Sequence, residues 1–83
     1  MPRFYFHLVN RIGASPDEDG RELPDLATAR QAAIDDIRSI LSDDVKTGVL
    51  DLCGRIEIAD EADLRTAVPF AEAIELKLPD LRA

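Results

Sequence analysis

Residues Arg3-Phe4-Tyr5-Phe6-His7-Leu8-Val9 alternate along the chain, with Phe4, Phe6 and Leu8 on one side and Tyr5, His7 and Val9 on the other. That two-residue period reads as a β-strand. Its apolar side needs a cover, and the next periodic stretch supplies one. Asp25 is a helix N-cap candidate, because its side-chain oxygen can accept from the free amides of a first turn and helix formers follow at once. At ~100° per residue, Leu26, Ala29, Ala33, Ile37, Ile40 and Leu41 share one stripe, with Ile34 at its flank and Thr28, Asp35, Ser39 and Ser42 opposite. Continuing the helix would bring Asp44 into that stripe. The helix is therefore expected to end near Ser42 or Asp43, with Gly48 in the reversal.

Between strand and helix, Gly13, Ser15-Pro16 and Asp19-Gly20 mark a surface loop, and Glu22-Leu23 can add one short rung of sheet before Pro24. Beyond the helix the period returns to two. Ile56 and Ile58 alternate with Arg55, Glu57 and Ala59; Asp60-Glu61-Ala62-Asp63 forms a polar turn, and Leu64, Thr66 and Val68 return as the second strand of a hairpin. Pro69 ends that strand, Phe70 to Leu76 favours a short helix over a terminal strand, and the residues from Pro79 are expected to fray.

The order β-(short β)-α-β-β-α over residues 1–83 predicts a single small α+β domain. Its sheet is small and mainly antiparallel, with one long helix packed on one face. Phe4, Phe6, Leu8, Ile56, Ile58, Leu64 and Val68 are expected to meet Leu26, Ala33, Ile37 and Leu41 in the core. The opposite sheet face then carries Tyr5, His7, Val9, Glu57, Ala59, Arg65 and Ala67, a mixed surface suited to an interface, with Tyr5, His7, Val9 and Arg65 as its contact residues.

The chain has 83 residues with 17 acidic and 10 basic side chains, a formal net charge of −7. A core this small supplies about 3–5 kcal/mol, and natural domains of such size often add a disulfide, a metal or a second subunit. Cys53 is the only cysteine and His7 the only histidine, which excludes an internal disulfide and a Cys/His zinc site and leaves self-association as the expected support. Met1 to His7 lacks the apolar run of a signal peptide, and no segment approaches a membrane span of ~20 apolar residues. A cytoplasmic protein without membrane contact is expected. The negative charge and scattered basic residues argue against nucleic acid, which selects a Lys/Arg stripe.

Several segments in order resemble a family of short bacterial proteins, a domain of unknown function common in alphaproteobacteria: Met1 to His7, Asp19-Gly20-Arg21-Glu22-Leu23-Pro24-Asp25, Ala29-Arg30, Gly54-Arg55-Ile56-Glu57-Ile58 with Asp60-Glu61, and Val68-Pro69-Phe70. Such proteins commonly carry glycine in the hairpin turn, where this chain has Ala62-Asp63. The resemblance supports the single domain and implies no activity, cofactor or catalytic residue.

No catalytic set emerges from the residues themselves. His7 with Glu57 is the one candidate pair for proton transfer, weighed against an ordinary interface histidine. Asp17, Asp19 and Glu22 are candidate oxygen ligands for a hard cation, yet the EF-hand register fails: Ser15 would take the first ligand position and Leu26 the place of the bidentate glutamate. A solvated turn is the preferred reading. Cys53 reads as a small, semi-buried apolar residue, since a catalytic thiolate needs a cation or histidine nearby. No serine sits in a nucleophile elbow and no glycine loop cradles phosphate. Arg30 falls inside the helix's apolar stripe and is expected to pair with Asp19, Glu22 or Asp60.

The expectation that follows is a non-enzymatic interaction or regulatory module acting as a homo-oligomer without a cofactor, its acidic surface open to a basic protein partner. The alternative is a small enzyme or ligand binder using His7 at a dimer cleft.

Overall fold

The computed structural model describes residues 1–80. Strand β1 (Arg3–Val9) lies inside a five-stranded antiparallel sheet, because its period of two leaves one apolar side for the core and both edges free to pair. Strand β4 (Arg55–Ala59) pairs with it in the register Tyr5↔Ala59 to Val9↔Arg55, and β5 (Arg65–Pro69) pairs with β4 from Ala59↔Arg65 to Arg55↔Pro69. On the other edge of β1, the expected loop contributes two short strands. They are β2 (Ala14–Ser15), facing Leu8 and Val9, and β3 (Arg21–Glu22), facing Arg3 and Phe4. The short rung at Glu22 was legible in the sequence. β2 was not, since a two-residue strand has no period to read.

Helix α1 (Leu26–Lys46) starts where the sequence indicates: the Asp25 carboxylate accepts from the Thr28 amide at 2.8 Å. It runs past the expected end at Ser42 or Asp43. The stripe argument assumed core contact along the whole helix, but Val45 in the last turn is exposed and Asp44 is only partly buried, so its carboxylate keeps contact with water. Thr47 closes the helix with its amide and hydroxyl both donating to the Asp44 carbonyl, at 2.9 and 2.7 Å, and Gly48 reverses the chain at φ 89°.

The core joins Phe4, Phe6, Ile56, Ile58 and Val68 of the sheet to Ala29, Ala33, Ile37 and Leu41 of α1, as expected from the two periods. Two residues assigned to it lie outside: Leu26 is 43 % and Leu64 71 % exposed. Both sit beyond the covered part of the sheet, Leu26 opening the helix and Leu64 leaving the hairpin turn, and they border a hollow of about 260 Å³ with Phe4 and Ile58. Leu8 is only half-buried. Phe70 and Ala73 complete the core instead.

Pro69 turns the chain, the Phe70 amide donates to the Gly54 carbonyl at 2.9 Å, and one 3-10 turn (Phe70–Ala73) packs on α1 where a short helix was expected. Residues 74–80 form neither helix nor strand. Arg38 Nε donates to the Ala73 carbonyl at 2.7 Å and Arg30 pairs with Glu72 at 3.2 Å, tying the turn to the helix. The Arg30 ion pair therefore exists, but its partner is none of the three carboxylates named from the sequence. Helix angle locates Arg30 on α1, whereas the partner depends on where the chain travels after Pro69. The expected fraying of the last residues falls in part on 81–83, outside the described residues. No helix among the described residues is long and apolar enough to cross a membrane.

Candidate functional site

α1 covers one face of the sheet; the other carries no helix among the described residues, although Ala59 on it is only 2 % exposed. Strand alternation and register place Tyr5, His7 and Val9 of β1 there beside Arg55, Glu57 and Ala59 of β4, then Arg65 and Ala67 of β5. His7 stands directly opposite Glu57 in the register. Their side chains nevertheless serve different partners.

Glu57 sits between two guanidinium groups. Arg55 Nε donates to its Oε2 and Arg65 Nη1 to its Oε1, each at 2.9 Å, and Arg65 Nε also donates to Asp63 at 3.1 Å. The hydrogen bonds from Arg65 and then Arg55 hold the Glu57 carboxyl below the usual carboxylate range. With both oxygens engaged and its basicity reduced, Glu57 is poorly placed to take a proton from His7.

His7 faces the loop. Its Nδ1 accepts from the Asp17 amide at 3.0 Å, which assigns the neutral ring's proton to Nε2, and its ring stacks with Tyr5 at a 6.5 Å centroid separation and 7° between planes. In this arrangement Nε2–H is the ring's remaining donor. His7, Val9, Pro16, Arg55, Glu57 and Arg65 border a shallow hollow there of about 370 Å³.

The loop itself is built on Asp17. Its Oδ2 accepts from the Phe6 amide at 3.1 Å, and its Oδ1 from the amides of Asp19 and Gly20 at 3.2 Å each. The carboxylate thus fills the gap in the ladder between β2 and β3, where no strand residue meets β1. Burial alone would raise this carboxyl, but the amides of Phe6, Gly20 and Asp19, helped by the Arg21 charge, outweigh it and hold it below the usual range. Gly20 makes the close approach possible. At φ 69°, a Cβ there would lie 2.9 Å from the Phe4 carbonyl oxygen and 3.0 Å from Tyr5 Cδ1.

The three candidate cation ligands go separate ways. Asp17 binds main-chain amides, Glu22 pairs with Arg3 at 3.3 Å, and the Asp19 carbonyl accepts from Arg3 Nη1 at 2.9 Å. Among the described residues, no group of three His, Cys, Asp or Glu side chains is arranged to hold a metal. Cys53 is exposed, not semi-buried, and Arg11 Nη2 lies 2.9 Å from its Sγ. The irregular run between α1 and β4 carries it outside the core.

Sequence reasoning missed a cluster on the helix side. Arg21 lies over the Phe6 ring at 4.3 Å from its centroid and pairs with Asp36 of α1, bordering a cleft of about 510 Å³ between α1 and the broken sheet edge. Arg21 belongs to a two-residue strand and Asp36 to the polar flank of a helix, so neither had a period that would have paired them.

Comparison with curated proteins and with solved structures finds no match. Apart from Met1 and Pro2, the segments that suggested a family in the sequence lie together in one match, which starts with β1 and ends inside the 3-10 turn. The chain belongs to the family described as a domain of unknown function (DUF6894), matched over residues 3–71.

Proposed function

We propose that this chain is a non-enzymatic, cytoplasmic protein-interaction module that works as a homo-oligomer. One observation carries the reading: the sheet is a single layer with α1 on one face, and the other face is left open with Tyr5, His7, Val9 and Arg65 on it. An open face of this kind is ordinarily covered by another layer or another chain. The chain's net charge of −7 also suits a basic protein partner.

Sedimentation equilibrium from 1 to 100 µM tests the reading, together with gentle affinity isolation from the native cytosol. A reversible dimer, or a stoichiometric second protein, is expected. A monomer at every concentration that retains no other protein would overturn it.

A ligand-binding reading rests on the hollow beside His7, which Arg55 and Arg65 also border. Titrating the chain with acetate and with inorganic phosphate while following the His7 imidazole resonances by NMR decides it: saturable shifts support a ligand site, and none refutes it.

A further inference from the structure

The two edges of the sheet are not equivalent. The β1 edge is closed by β2, by β3 and by the Asp17 carboxylate between them. At the far side, β5 pairs with β4 alone among the described residues. The Phe70 amide donates to the Gly54 carbonyl and the Asp60 amide to the Leu64 carbonyl, with Ile56↔Val68 and Ile58↔Thr66 in register between these bonds. In an antiparallel ladder such paired positions alternate. Thr66 and Val68 therefore turn their main-chain groups towards β4, while Arg65, Ala67 and Pro69 turn theirs outward, and all three are exposed.

We propose that β5 is the seam of a homodimer, in which Ala67 pairs antiparallel with the partner's Ala67 about a twofold axis to make one sheet across both copies. This specifies how the copies of the homo-oligomer reading meet, and rests on it: they join at a sheet edge, so of Tyr5, His7, Val9 and Arg65 only Arg65 lies at the join, while the other three stay on one continuous face across both copies. The pattern of donors is self-complementary in that register. Ala67 and the partner's Ala67 exchange amide-to-carbonyl bonds, and the Arg65 amide donates to the carbonyl of the partner's Pro69, reciprocally. Pro69 lacks a donor, but its carbonyl is all that the opposing Arg65 amide requires, and its ring breaks no bond to β4 because its nitrogen faces outward. Both full strands overlap. Ala67 keeps the axis free of bulk, and the two Arg65 positions lie about 13 Å apart along the strands at ~3.3 Å per residue, beyond the ~8 Å Debye length at physiological salt.

A register shifted to Thr66 against the partner's Thr66 is inferior. It halves the separation of the arginines and sets Pro69 against the partner's Asp63, where the strand has already turned at φ 60°.

Cross-linking tests the seam directly. In a Cys53→Ser background, Ala67→Cys is oxidised with glutathione disulfide beside Ala27→Cys, an exposed control position on α1. The seam requires at least tenfold more covalent dimer from Ala67→Cys than from the control. Ala67→Pro removes an amide that β4 does not use, and is expected to raise the dimer dissociation constant at least tenfold. Should that variant fail to fold, Ala67→Lys sets like charges across the axis and is expected to weaken the dimer by a similar factor. A dimer that persists unchanged in these variants, with no cross-link above control, overturns the seam and leaves the homo-oligomer reading standing. A chain monomeric at 100 µM overturns both.

Discussion

Replacing Asp17 tests the account of the broken sheet edge. In the wild type its carboxylate accepts three main-chain amides, those of Phe6, Asp19 and Gly20 at 3.1, 3.2 and 3.2 Å. Asp17→Ala leaves the part-buried Phe6 amide without an acceptor, which costs about 1–3 kcal/mol. The two loop amides return to water at about 0.5 kcal/mol each, the low end for a net hydrogen bond. A loss of roughly 2–4 kcal/mol is expected, most of what a core of this size supplies. Asp17→Asn is informative because it keeps the shape: one of its two terminal atoms becomes an NH₂ that faces amide donors, so about 1–3 kcal/mol should still be lost. The sign of the pH dependence follows from the carboxyl held below its usual range. Its stabilisation is complete above the unfolded value near 3.9 and drains as pH falls through the lower folded value. Urea unfolding followed by circular dichroism at pH 7, 5, 4 and 3 measures both effects. The wild type should lose more stability than Asp17→Asn between pH 5 and 3, and amide exchange at Phe6 should accelerate in both variants. A loss under 0.5 kcal/mol in Asp17→Ala, or identical pH slopes, would refute the reasoning.

Gly54→Ala should destabilise the fold by about 1–3 kcal/mol, read from the urea midpoint, because the new methyl would lie 2.7 Å from Phe70 Cε2 and 2.8 Å from Cζ. Asp63 has φ 60°, a left-handed turn conformation that favours glycine; Asp63→Gly should be neutral or up to about 1 kcal/mol more stable, and Asp63→Val about 1–2 kcal/mol less. Arg30→Ala should lower the melting temperature by only a few degrees, since an exposed ion pair contributes about 0–1 kcal/mol. Ile37→Ala, at a position with no exposed surface, should cost about 2–5 kcal/mol and leave a large unfolded fraction at 25 °C by near-UV circular dichroism.

The candidate site was partly legible in the sequence. Alternation in Arg3–Val9 and Arg55–Ala59 assigns Tyr5, His7, Val9 and Glu57 to one face, and the structure keeps them there with His7 opposite Glu57. What their side chains bind was not legible. Glu57 is held by Arg65 from the far side of a hairpin, and His7 by the amide of Asp17 ten residues on, in a loop without periodicity. The acidic run read as a solvated turn contains the carboxylate that completes the sheet. In sequence, a side chain that replaces a strand in the ladder looks the same as one that faces water.

By itself the sequence determined the elements whose physics is local: the strand periods of two, the helical stripe, the Asp25 cap, the Gly48 reversal and the α+β class. Each follows from rotation per residue or from hydrogen bonds within one turn. Tertiary structure alone decided the broken β1 edge, the Arg30–Glu72 and Arg21–Asp36 pairs, the replacement of Leu26 and Leu64 by Phe70 and Ala73 in the core, and the β5 edge that no described residue pairs with. These join residues far apart in the chain, and such contacts depend on how the elements dock, a quantity that no local period encodes.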